Sequence, residues 1–89
     1  MTVLFDASFL HAFEKITDAS VARRADKAVE KIKSANSLRE ISNIKSMRGN
    51  PNYYRFRFGD FRIGFRMVDE YTIVLLAIEH RSVFYRHFP

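Results

Sequence analysis

The sequence predicts an α+β fold: two N-terminal helices packed on one face of a small, mainly antiparallel β-sheet. The expected order is β-α-α-β-β-β with a short C-terminal turn or helix. Three observations predict it. A short apolar run precedes two segments of helical spacing, and near Ile44 the hydrophobic period changes from about 3.6 to two. The alternating strands also leave one aromatic face that only the helices' apolar stripes can cover. The chain is 89 residues long, enough for one compact domain spanning residues 1–89, with no linker, repeat or low-complexity stretch.

Val3-Leu4-Phe5 reads as a strand, closed by Asp6 as a helix N-cap. Phe9, Leu10, Phe13 and Ile16 then fall at helical spacing, a first helix of two to three turns. Asp18 or Ser20 caps a second, in which Val21, Ala25, Ala28, Val29 and Ile32 form one apolar stripe opposite a charged face. Ser34 to Ser37 ends it, leaving Leu38–Ile41 in a turn or brief helical coda. From Ile44 the alternation places Tyr54, Phe56 and Phe58 on one side and Tyr53, Arg55 and Arg57 on the other. Gly59-Asp60 suits a two-residue type II′ hairpin. Phe61, Ile63, Phe65 and Met67 then share a face opposite Arg62, Gly64, Arg66 and Val68. Asp69-Glu70 forms the next turn, and Tyr71–Ile78 is apolar on both sides, as an interior strand is. Arg81–Phe88 is a last turn of helix or an irregular tail.

Composition excludes several classes. With 47% hydrophobic and 28% charged residues, the chain is neither disordered nor fibrous. Its longest apolar run, Ile73–Ile78, is far short of a membrane span of about 20 residues, so no membrane partner is expected. The opening MTVLFD shows no signal peptide. There is no cysteine, hence no disulfide, thiolate nucleophile or sulfur metal site, and a cytoplasmic protein is expected. No phosphate-binding glycine loop, nucleophile elbow or His/Asp cluster at metal spacing is present, so neither metal nor cofactor is expected.

Charge is unevenly spread. Fifteen Lys and Arg against ten Asp and Glu give a net charge of +5. Residues 1–43 hold seven bases and six acids; residues 44–89 hold eight and four, and seven of those eight bases are Arg. The rigid fork of guanidinium matches two phosphate oxygens, so an Arg-biased half points to a polyanion, nucleic acid before membrane surface.

With Gly59-Asp60 at the tip, Arg57 faces Arg62, Arg55 faces Gly64, and Tyr53 faces Arg66. Four Arg then share one strand-pair face with no acid among them. Directly opposed like charges cost a few tenths to about 1 kcal/mol, so an anion that neutralises them is the natural explanation; the alternative is a solvated face whose Arg stems shield the sheet. Gly64 lets a ligand or backbone approach, or marks a bulge. Lys45 and Arg48 lie in a loop leading into the hairpin and extend the basic track. The tail then crowds His80, Arg81, Tyr85, Arg86 and His87 into a few residues. Histidine exchanges protons near neutrality, and tyrosine donates hydrogen bonds or stacks on bases. His11 has no partner in sequence, and the basic side of the second helix (Arg23, Arg24, Lys27, Lys31) reads as a solvated face diluted by Asp26 and Glu30.

The run Tyr54-Arg55-Phe56-Arg57-Phe58, then Phe61-Arg62-Ile63-Gly64-Phe65-Arg66, then Ala77-Ile78-Glu79-His80-Arg81-Ser82-Val83-Phe84-Tyr85-Arg86 resembles the RelE/ParE superfamily of bacterial toxins, over nearly the whole chain. The resemblance implies the toxin component of a type II toxin–antitoxin pair, with an acidic antitoxin as partner. In the RelE branch it implies a ribosome-dependent mRNA endonuclease. A ribose 2′-OH attacks the adjacent phosphate without a metal, and mRNA and ribosome are partners. By position, Arg55 and Arg57 match the basic strand pair, Arg62 the Arg of the next strand, Arg81 the tail's basic motif, and Tyr85 the aromatic that stacks on the RNA base. Arg57, Arg62 and Arg81 would stabilise the phosphorane. Arg cannot act as base, and the chain lacks the strand Lys of some RelE members, so proton transfer falls to His80, Tyr85 or His87, or to the ribosome. Lys45, Arg48, Tyr53, Arg55, Arg66, Arg86 and His87 would hold RNA. The alternative is a ParE-like toxin that inhibits DNA gyrase and has no nuclease activity.

Overall fold

The computed structural model describes all 89 residues, Met1–Pro89. The order is β1 (Thr2–Phe5), α1 (Ala7–Glu14), α2 (Ala19–Ser34), a 3-10 turn (Leu38–Glu40), β2 (Ile44–Ser46), β3 (Tyr53–Phe58), β4 (Phe61–Asp69), β5 (Thr72–His80) and α3 (Arg81–His87). The strands form one sheet ordered β1-β5-β4-β3-β2, in which only the β1–β5 pair is parallel. The expected α+β architecture is present. No helix is long and apolar enough to cross a membrane.

Local chemistry explains the boundaries. Asp6 caps α1 by accepting from the Ser8 N–H at 3.0 Å, and Asp18 caps α2 by accepting from Ser20 and Val21. The Ser8 hydroxyl and N–H hold the Asp6 carboxyl below its ordinary pKa, because both favour the charged form. In α2 the apolar stripe buries Ala25, Ala28, Val29 and Ile32 against the sheet. Opposing them are Phe56 on β3, Ile63 and Phe65 on β4, and Ile73, Leu75 and Ile78 on β5, with Phe9 of α1 completing the cluster.

The β5 face pattern changes phase. Ile73 and Leu75 face the core, and so does Ile78, three residues on. A bulge reconciles them: Gly64 pairs with Ala77 and Phe65 with Leu75, leaving Leu76 without a register partner. One extra residue reverses which face the following side chains take. The Leu76 carbonyl accepts from the Ser8 hydroxyl at 2.7 Å, tying the bulge to α1.

Two expectations need correction. Lys45 lies on a short strand, β2, paired with Arg55, rather than in a loop; three residues are too few to show alternation. The turn between β4 and β5 is Glu70-Tyr71, one residue later than expected, because Asp69 still pairs with Thr72. The tail takes the helical one of its two expected forms, with the His80 ring nitrogen accepting from the Ser82 N–H in the role usually filled by Ser or Asp. The Gly59-Asp60 turn stands as expected, with Gly59 at φ +54°.

Candidate nucleic-acid interface

The register brings together what the alternation separates. Arg57 pairs with Arg62, Arg55 with Gly64, and Tyr53 with Arg66, so these side chains share the face turned away from α2. Across β5, Arg62 meets Glu79. That carboxylate adds an acid to the face, but it engages the His87 Nδ1 at 2.9 Å instead of the guanidinium. Arg62 folds back on the hairpin, its Nη1 donating to the Gly59 and Phe61 carbonyls at 3.0 Å each, while its Nε is buried without a partner. Arg55 donates to the Asn43 carbonyl at 3.3 Å. Arg81 stands 3.8 Å from the Asp60 carboxylate, and its N–H donates to the Asp60 carbonyl at 2.7 Å. The remaining ion pair is Lys33 with Glu30, so Arg55, Arg57 and Arg62 have no carboxylate partner. An exposed pair such as Arg81–Asp60 contributes at most about 1 kcal/mol; its effect is to hold Arg81 at the hairpin tip.

α3 lies across this face. Phe84 and Phe88 are buried under it, and the Phe88 ring stands 5.9 Å from that of Tyr53. A Cβ on Gly64 would come within 2.6 Å of the Phe88 ring. The glycine therefore admits the chain's own phenylalanine, the close approach of an internal side chain rather than a ligand.

Two open hollows carry the cations. The first, of about 590 Å³, is lined by Lys45, Arg48, Arg55 and Tyr85. Tyr85 is half exposed, its ring edge-on to Phe84 at 5.0 Å. The second, also about 590 Å³, lies at the hairpin tip between α2 and β3–β4, and gathers Arg57, Arg62 and Arg81 with Arg24, Lys27 and Lys31. Arg81 and Tyr85 are four residues apart on α3, so one flank of that helix serves both hollows. Neither histidine of the tail lines either one. His80 caps α3 and lies edge-on to Phe61 on the α1 side, and His87 is held by Glu79. Tyr53 is packed beneath Phe88, while Arg66 is half-buried and Arg86 exposed outside both hollows. The basic flank of α2 is exposed, as a solvated face is, and it also lines the second hollow, which the sequence reading did not anticipate. Arg24, Lys27 and Lys31 sit at i, i+3 and i+7 beside the buried Ala28, a spacing that shows they share one side.

Two helices on one face of a five-stranded sheet, with an Arg-rich opposite face beneath a short C-terminal helix, define the RelE type of small toxin domain. The chain belongs to the RelE/ParE superfamily of type II toxins: residues 2–84 match the family model described as the ParE toxin of the type II toxin–antitoxin system, parDE. It is 33% identical over 90 residues to Toxin RelE3 of Methanocaldococcus jannaschii, covering 100% of both chains. Its fold is similar to that of a RelB–RelE antitoxin–toxin complex from Methanococcus jannaschii. There the TM-score is 0.77 at 31% identity, covering 97% of this chain and 99% of that one. The RelE–RelB complex of Pyrococcus horikoshii OT3 shares the fold at 19% identity and a TM-score of 0.70, over 91% and 94% of the chains.

Proposed function

We propose that this toxin is an mRNA endonuclease acting on the ribosome. The observation that supports it is the first hollow, where a half-exposed tyrosine stands among Lys45, Arg48 and Arg55. Stacking on an aromatic ring and contact of cations with a phosphate backbone are the two interactions that hold a single RNA strand. In the reaction, a ribose 2′-oxygen attacks the adjacent phosphorus and the bond to the 5′-oxygen breaks. The products are a 2′,3′-cyclic phosphate and a free 5′-hydroxyl. The 2′ proton passes to a base, and the leaving oxygen takes one up. Arg57, Arg62 and Arg81 neutralise the charge that grows on the non-bridging oxygens. Of the side chains expected to carry proton transfer, Tyr85 lines a hollow and His80 and His87 do not.

An acidic antitoxin, encoded beside this reading frame, is the expected protein partner. Three similar solved structures are toxin–antitoxin complexes named for RelE and RelB. The match to a ParE family model favours one second reading, a gyrase-inhibiting toxin without nuclease activity.

Induction of the chain alone separates the two. The nuclease stops amino-acid incorporation first and leaves new transcript ends inside translated frames. Intact mRNA with an SOS response would reject it. The variants Arg57→Ala, Arg62→Ala and Arg81→Ala are each expected to relieve toxicity while remaining folded; killing by all three would reject the assigned residues.

A further inference from the structure

The second hollow contains more cation than the reaction uses. Arg57, Arg62 and Arg81 line it from the hairpin side together with Asp60, the one carboxylate of the hollow, which pairs with Arg81; Arg24, Lys27 and Lys31 line it from α2. None of the three α2 residues has a carboxylate within ion-pairing distance, although Asp26 and Glu30 are their neighbours on the helix. Arg24 is placed with care: its guanidinium occupies the space a Gly59 side chain would need, and it lies 5.8 Å from the Phe58 ring centroid. Gly59 therefore serves twice, giving the turn its positive φ and the arginine its seat.

Fold stability does not account for six cations gathered around the single carboxylate of Asp60, since the surplus cations repel one another. An anion bound in the hollow does. The floor indicates which anion. Its apolar residues are Ala28, Phe56 and Phe58; Ala28 and Phe56 are each 3% exposed, and Arg24 covers Phe58. A docking peptide needs apolar or aromatic anchor pockets, and this floor offers none. A chain of phosphates needs only cations at intervals. Positions 24, 27 and 31 supply them along the helix about 4.5 and 6 Å apart at 1.5 Å per residue.

We propose that the α2 flank of the cleft at the β3–β4 tip, formed by Arg24, Lys27 and Lys31, is a phosphate-run subsite beside the three arginines given to the reaction. It takes a segment of phosphodiester backbone or a free polyphosphate. The proposal extends the RNA-cleaving reading but does not require cleavage.

The test uses the full chain and a fluorescein-labelled single-stranded RNA with 2′-O-methyl sugars, which cannot be cut by 2′-OH attack. Affinity is measured against salt. Each phosphate contact contributes about 0.7 to the slope of log affinity on log salt for a single strand. Arg24→Gln/Lys27→Gln/Lys31→Gln is expected to lower the slope by about 2 and Lys27→Gln/Lys31→Gln by about 1.4. The double variant leaves Arg24 on the hairpin, so a folding defect in the triple does not void the result. Sodium tripolyphosphate and a polyglutamate of matched charge are the competitors. RNA displaced by tripolyphosphate in wild type but not in the double variant identifies a subsite for free polyphosphate; resistance to it with the slope change intact identifies backbone. An unchanged slope in both variants overturns the proposal, as does stronger competition by polyglutamate than by either phosphate chain, which would assign the cleft to an acidic protein. A wild type that cuts no transcript, with the slope change intact, removes the nuclease reading and leaves this one standing.

Discussion

The sheet's two faces are built from the same strands and obey different rules. On the α2 side, Ile63, Phe65, Ile73 and Leu75 are completely buried in one continuous cluster with both long helices. On the α3 side a single short helix covers the sheet with Phe84 and Phe88, and beyond them the face is guanidinium. β4 carries both in alternation from Phe61 to Met67: its odd positions face the core, and its even ones are Arg62, Gly64 and Arg66. A period of two lets one strand hold the fold on one side and present charge on the other, so the two sides respond differently to substitution.

The largest effect is expected on the core side. Phe65 is fully buried and stacked on Tyr54 with centroids 5.6 Å apart. Phe65→Ala removes its contacts and leaves a cavity, at a cost of about 3–5 kcal/mol. That is a large part of the stability of a domain this size, and urea unfolding measures it. A loss below about 1 kcal/mol would mean that the face repacks freely.

The seam between the faces comes next. Gly64→Ala pushes a methyl into the Phe88 ring, and overpacking of this kind costs about 1–3 kcal/mol. Because the clash involves one side chain, the cost is expected to shrink in a Phe88→Ala background. A double-mutant cycle measures the coupling, and strictly additive effects would show that Phe88 is not what the glycine accommodates.

These elements also show what sequence can and cannot reveal. The alternation of β3 and β4 and the Gly59-Asp60 turn together set the register, so Arg57 opposite Arg62 was legible before any coordinates. The stripe of α2 and both Asp caps were legible for the same reason: each is a local pattern. What escaped depends on distance in space. The bulge at Leu76 relieves a phase conflict within β5 that only its pairing with β4 exposes. The convergence of Arg24, Lys27 and Lys31 on the hairpin tip depends on how α2 crosses the sheet, which no spacing encodes. His80 looked chemical because of its neighbours in sequence, yet its ring nitrogen is used as a helix cap.

On the charged face a substitution is expected to act in the opposite direction from one in the core. Arg57 is exposed, opposite Arg62 and without an acidic partner. Arg57→Gln removes a repulsion, so stability at low salt is expected to hold or rise, by a few tenths to about 1 kcal/mol. Added salt is expected to stabilise the wild type more than the variant, since screening relieves the same repulsion. Thermal unfolding at two ionic strengths reads both; a destabilised variant would mean that Arg57 serves the fold.

The smallest effect lies at the ends of elements, away from both faces. The Asp6 carboxyl is lowered from 3.8 by the Ser8 hydroxyl and then its N–H, and the Asp69 carboxyl is lowered by the Tyr71 N–H and then the Thr72 hydroxyl. A carboxyl whose folded pKa lies below its unfolded value stabilises the fold above that unfolded value, and the contribution is lost as pH falls through the folded one. The window therefore opens near pH 4 and extends downward from there. Both groups are fully exposed, so the effect is small. Asp6→Ala is expected to lose the α1 cap at neutral pH and to flatten the acid limb of a stability-against-pH curve. An acid limb as steep in Asp6→Ala/Asp69→Ala as in wild type would assign it to other carboxylates.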